Sequence, residues 1–176
     1  HGFADIPYRQ MLMAYEHHMK IDLTGYPENK RPREPSLFSR IVAVADGFDA
    51  GTSVRSYQYK PWSPDAMLKE MRDNPKRGQD VLLVKTLITA TGVYPVGTLV
   101  ILDTRELGVV SQVNPDPDLL HRPTVRVISD PMGVPLAEPL AVDLAKVDPT
   151  TGVRRTIIKT TDPQKYGIRV SDYLLA

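Results

Sequence analysis

Apolar residues recur at helical spacing through the first half of the chain and at strand-like spacing through the second. From Pro7 to about Lys20, the positions of Met11, Leu12, Tyr15, His18 and Met19 predict a helix, with Asp5 as its N-cap. A polar, proline-rich stretch from Glu28 to Pro35 interrupts the pattern. Ser36 then caps a second predicted helix through Phe38, Ile41, Val42, Val44, Ala45, Phe48 and Asp49, which Gly51-Thr52-Ser53 ends. Ser63 followed by Pro64 reads as an N-cap with proline at the first helical position, opening a third helix to about Arg72. After the break at Asn74-Pro75-Lys76-Arg77-Gly78, a fourth helix of apolar character runs from Asp80 to about Thr91.

Beyond Pro95 the period changes. Short runs rich in β-branched residues cover Thr98 to Leu102, Leu107 to Val113 and Thr124 to Ser129, with weaker candidates at Ala141 to Leu144 and Val153 to Lys159. The expected class is therefore α+β, with a helical part over residues 1–95 and a small β-rich module over 96–176. That module is expected to be an antiparallel sheet or an SH3-like barrel. The tail from Thr161-Asp162-Pro163 to Leu175 reads as a turn plus a short closing segment.

Composition narrows the chemistry more than the fold. The 22 basic residues nearly cancel the 21 acidic ones, which gives no argument for binding a nucleic-acid polymer or a membrane surface. No apolar run reaches the roughly 18 residues of a membrane span, and a cytoplasmic location is the expectation. With no cysteine, any metal must be held by imidazole and carboxylate, which favours iron or manganese over structural zinc. The first residue is histidine, and the chain is expected to be a piece of a longer protein.

The residues that carry chemistry lie in the helical part. His17 and His18 are adjacent at the end of the first predicted helix, and Asp46 sits inside the second among Val44, Ala45 and Phe48. Such groups are costly in an apolar setting unless something binds them, and a metal is the usual partner. Neighbouring helical positions point about 100° apart. Both imidazoles can therefore reach one ion only where the helix end loosens, as Asp22 and Gly25 would allow, or where two ions sit side by side.

His17-His18, Asp22, Gly25-Tyr26-Pro27, the run Arg40 to Ala50 with Val44-Ala45-Asp46 and Phe48-Asp49-Ala50, then Thr52-Ser53 and Arg55-Ser56-Tyr57 occur in a fixed order. This order resembles the C-terminal half of an HD-GYP domain over roughly residues 12 to 95. The resemblance implies a helix bundle and a bacterial phosphodiesterase that hydrolyses cyclic diguanylate through water activated by two or three divalent ions. It makes His17, His18 and Asp46 metal ligands, gives Asp46 and Arg55 catalytic roles, and casts Arg55 as a phosphate contact. Gly25-Tyr26-Pro27 becomes a loop that shapes the site and meets partner proteins, and Asp22 a turn residue or one that orients an imidazole. The segment after Pro95 resembles extensions behind some of these domains.

Met19, Leu23 and Gln58 depart from the family pattern, which has glutamate, glycine and a basic residue there, and the 176 residues contain no His-Asp dipeptide. An alternative is thus a degenerate signalling module that binds nucleotide or protein without hydrolysis, and another is a β module that recruits a partner. The piece alone is expected to be weakly active or inactive, and to dimerise or rearrange through uncovered helix faces. Asp49 is expected to cap or to pair with an arginine such as Arg40, Lys30-Arg31-Pro32-Arg33 to be a solvated loop, His121 to be no ligand, and Tyr57 and Trp62 to pack.

Overall fold

The computed structural model describes residues 7–28, 33–54, 61–149 and 151–174. Among them, helices α1 (Tyr8–Glu16), α2 (Leu37–Thr52), α3 (Pro64–Asp73) and α4 (Val81–Thr91) precede strands β1 (Leu99–Leu102), β2 (Leu107–Gln112), β3 (Thr124–Ser129), β4 (Pro135–Asp143) and β5 (Ile157–Thr160). The fold is α+β, and the strands form one five-stranded antiparallel sheet in the order β4-β3-β2-β1-β5. Two compact units are present. The first comprises the described residues up to Trp62 together with Met67–Leu87, and the second Ser63–Ala66 with the described residues from Ile88 on.

In the first unit α1 is shorter than its apolar period suggests. It stops at Glu16, and its N-cap is Pro7, which makes no side-chain capping bond; Asp5 lies outside the described residues. The chain leaves the helix because a competing set of local bonds is available. The Asp22 carboxylate accepts from the Thr24 amide and hydroxyl, Lys20 N–H reaches Thr24 O at 2.9 Å, and Met19 bridges Gly25 as an isolated antiparallel pair. Helix α2 begins at its expected cap, where Ser36 Oγ accepts from Ser39 N–H, and ends where Ser53 N–H meets Asp49 O. Gly51 faces Met67, which is buried with Leu68 and Met71 on α3, and a Cβ there would overlap the Met67 side chain. Large apolar side chains remain exposed on the outer faces, including Tyr8, Met11 and Tyr15 on α1 and Leu37, Phe38 and Ile41 on α2.

The second unit is built on the sheet. Val100, Leu102, Val110, Val125, Val127, Leu144 and Ile157 form a buried cluster on one side. Leu99, Val109 and Ile128 form another, covered by Ile168, Val170, Tyr173 and Leu174 of the tail. That tail consists of two 3-10 helices, Pro163–Tyr166 and Val170–Tyr173, and supplies the closing segment. The weak candidate at Ala141 to Leu144 is the end of a much longer strand, because β4 reaches back to Pro135 along the sheet edge.

Candidate metal centre

The short end of α1 places the chemistry. Its last residue, Glu16, is only 1% exposed, and its carboxylate is clamped to the start of α2. One oxygen accepts from Ser36 N–H at 2.9 Å and Ser39 Oγ at 2.8 Å, and the other from Arg33 Nη2 at 2.7 Å. Burial alone would raise the Glu16 pKa, but the Ser36 amide, the Ser39 hydroxyl and the Arg33 charge together outweigh it and hold the carboxyl below its ordinary value. The N-terminus of α2 favours a negative charge at this spot for the same reason that it favours anions generally.

The residues after this anchor reach the middle of α2. His17, His18 and Asp46 each offer a ligand atom, and those atoms all lie within 4.8 Å of one another. His17 is the C-cap of α1 and half-buried. Its Nδ1 lies 2.9 Å from Ala14 O and 3.2 Å from Met13 O. Carbonyl oxygens only accept, so Nδ1 is the donor in these contacts, and in the neutral imidazole Nε2 is the nitrogen that keeps a lone pair. Imidazoles that bind metals are commonly oriented in this way, with the second nitrogen donating to a carbonyl. The His18 ring sits between neighbours: its centroid is 4.0 Å from that of His17 and 4.6 Å from that of Tyr26, which stacks on it at 24°.

The loop that carries Tyr26 is pinned beneath His18. Gly25 has φ +90°, and a Cβ on it would collide with the His18 carbonyl oxygen. Leu23 adopts φ 66°, a left-handed conformation that suits glycine, and it stands where the resemblance expects glycine. Pro27 follows a cis peptide bond and is half-buried. Asp22 spends its oxygen on Thr24; the side-chain and backbone hydrogen bonds from Thr24 lower its pKa, in that order.

Other expectations find different partners. Arg40 pairs with Asp80 at 2.8 Å, while Asp49 accepts from Ser53 Oγ. Arg33 leaves the solvated-loop reading for its bond to Glu16, and residues 30–32 lie outside the described residues. Arg55, Tyr57 and Gln58 also lie outside them. Met19, where the resemblance expects glutamate, is buried at 7% exposure and serves packing. His121 lies in the second unit. Glu16 was not singled out in the sequence, although Leu12, Glu16 and Met19 share the spacing of one helical face and put a carboxylate in an apolar stripe.

In the second unit a cleft of about 390 Å³ is lined by Leu140, Val142, Lys146, Val147 and Arg155 among others. Arg155 is already paired there, with Glu106 at 2.9 Å and Asp148 at 3.1 Å.

The chain is 38% identical over 99 residues to cyclic di-GMP phosphodiesterase PA4108 of Pseudomonas aeruginosa, a match covering 56% of this chain and 23% of that protein. It is 46% identical over 57 residues to the cyclic di-GMP phosphodiesterase response regulator RpfG of Xanthomonas campestris, covering 32% of this chain and 15% of RpfG. It is 34% identical over 76 residues to 3'3'-cGAMP-specific phosphodiesterase 2 of Vibrio cholerae, covering 43% and 14%. No family model matches the chain. Solved structures give no significant match either. Over part of its length the chain is thus similar to proteins named cyclic di-GMP phosphodiesterases. The chain spans less than a quarter of the length of the curated relatives it matches.

Proposed function

We propose that residues 1–95 are the metal-binding part of a phosphodiesterase that hydrolyses a cyclic dinucleotide, cyclic diguanylate foremost, and that residues 96–176 are a separate β module. The observation that carries this reading is the cluster of His17, His18 and Asp46 within 4.8 Å, with His17 Nδ1 committed to carbonyl oxygens of α1. Two imidazoles and a carboxylate suit a divalent ion of the iron or manganese kind, and two or three such ions are the expected complement. When bound, they supply Lewis-acid activation of water and neutralise charge on the phosphoryl oxygens.

The chain's own residues do the positioning. His17 presents Nε2 from a helix end that Glu16 locks to α2. Tyr26 restricts the His18 ring by stacking, and Asp46 offers its carboxylate from α2. Arg55 is assigned to a phosphate oxygen, where a planar fork of donors fits best. The Gly25-Tyr26-Pro27 loop, with Tyr26 exposed, is a natural contact for a protein partner. The exposed apolar residues of α1 and α2 support self-association as a dimer, and the cleft at Arg155 supports a partner for the β module. No described helix is long and apolar enough to cross a membrane, and the site of action proposed is the cytoplasm.

One observation favours binding without hydrolysis as a second reading: Met19 is buried in packing and gives the site no carboxylate. A single experiment separates the two. Manganese uptake and cyclic diguanylate hydrolysis are measured on the chain, on the longer protein, and on His17→Ala and His18→Ala variants of both. Loss of metal and of turnover in the variants supports the phosphodiesterase. Metal and nucleotide binding without turnover in the longer protein supports the binding module. Unchanged metal stoichiometry in both variants refutes the centre.

A further inference from the structure

The wall of α2 beside Asp46 holds a second arrangement, built by Asn74 to Asp80. Gly47, next to Asp46, is approached closely by the Gln79 side-chain amide and lies near Arg77 Nη2, which would stand 3.8 Å from a Cβ at that position. Chain geometry then puts this guanidinium within roughly 9 Å of the Asp46 Cα. Gln79 fixes it there: Nε2 of Gln79 donates to Ala43 O on α2 at 3.2 Å, while its Oε1 accepts from Arg77 Nε at 3.3 Å. The two terminal nitrogens of Arg77 are left for something else. Among the described residues Arg77 has no carboxylate partner, although it is half-buried.

The same segment is tied to the histidine loop from the other side. Ile21 N–H donates to Gly78 O at 3.0 Å, Lys20 Nζ donates to Lys76 O at 3.2 Å, and Gly78 packs on the Lys20 stem with room for no Cβ. Lys20, Lys76 and Arg77 therefore gather in the same unit as His17, His18 and Asp46, linked to both walls of the cluster. A half-buried guanidinium oriented through Nε by a neutral amide, with its fork unpaired, is built to receive a dianionic or monoanionic oxygen cluster. A cyclic dinucleotide has two phosphodiesters, so with one at the metal ligands the other is available to a second cationic group. We propose that Arg77, oriented by Gln79, binds a phosphate of the dinucleotide next to the metal centre. This rests on the function proposed above.

The test uses the 176-residue chain loaded with Mn2+, titrated calorimetrically with cyclic diguanylate, alongside Arg77→Ala and Arg77→Lys variants whose Mn2+ uptake is measured separately. Arg77→Ala should take up Mn2+ normally and bind the dinucleotide roughly 10- to 100-fold more weakly, with Arg77→Lys in between because it keeps charge but loses the fork. Normal Mn2+ uptake with unchanged dinucleotide affinity in Arg77→Ala, or with no dinucleotide binding by the parent chain, overturns the assignment of Arg77 and leaves the metal centre standing. Failure of the parent chain to take up Mn2+ overturns the metal centre and Arg77 with it.

Discussion

Glu16 offers the sharpest test of how the helical unit is held. Its carboxylate is 1% exposed and accepts from the Ser36 amide, the Ser39 hydroxyl and Arg33. Bonds to an ionised group in such a setting contribute about 1.5–3 kcal/mol each. The Arg33 side chain is 63% exposed, so its ion pair adds only ~0–1 kcal/mol after solvent screening. Glu16→Gln keeps one carbonyl acceptor but turns an amide NH2 toward donors, and should destabilise the unit by about 2 kcal/mol; Glu16→Ala should cost about 3–4 kcal/mol. Trp62 is the single tryptophan and belongs to the same unit, so its fluorescence during urea unfolding reports the loss. The pH dependence has a definite sign. A carboxyl whose folded pKa lies below its unfolded value stabilises fully above the unfolded value, about 4.3, and loses that contribution as pH falls through the folded one. The parent should therefore soften on the acid side of about pH 4.3, and Glu16→Gln should flatten that part of the profile. A Glu16→Gln protein within about 0.5 kcal/mol of the parent, with the same acid profile, would show that the clamp does not hold α1 to α2.

Two substitutions in the loop should move in opposite directions. Leu23→Gly removes a leucine from φ 66°, and since the side chain is 45% exposed little burial is lost; relief of about 1–2 kcal/mol against a glycine entropy cost of about 0.5–1 should raise the urea midpoint slightly, and a lower midpoint would contradict the strain. Gly25→Ala puts a methyl group against the His18 carbonyl at φ +90°, so the chain must shift under His18 and Mn2+ affinity should drop by about tenfold; an unaltered titration would rule that coupling out.

Much of this was legible in the sequence because each element carried its own punctuation. Ser36 caps α2 where a serine before an apolar run should, and the first three strands lie within a residue or so of their β-branched runs. The order of His17-His18, Gly25-Tyr26-Pro27 and Asp46 carried the metal-site expectation, and His17, His18 and Asp46 each place a ligand-capable atom within 4.8 Å of the others. What was illegible depended on contacts between distant segments. The apolar period alone carries α1 on to Lys20, and only the bonds among Met19, Lys20, Asp22, Thr24 and Gly25 show why it stops at Glu16. Glu16 needed Ser36 and Ser39 beside it to be recognised, and the guanidinium of Arg40 found Asp80 across the unit instead of Asp49. Strand β4 runs from Pro135, well before the expected Ala141, because prolines that would break an inner strand are tolerated on a sheet edge.

Those prolines shape how the β unit behaves among copies of itself. An outer strand nine residues long, with Leu136 and Leu140 showing, would ordinarily be a template on which a stranger's backbone could zip. Pro135 and Pro139 have no amide hydrogen to offer, so an incoming ribbon meets gaps in its ladder at two places along the rim. This rim of the sheet is thereby a poorer template for edge-to-edge pairing than an unbroken strand of the same length.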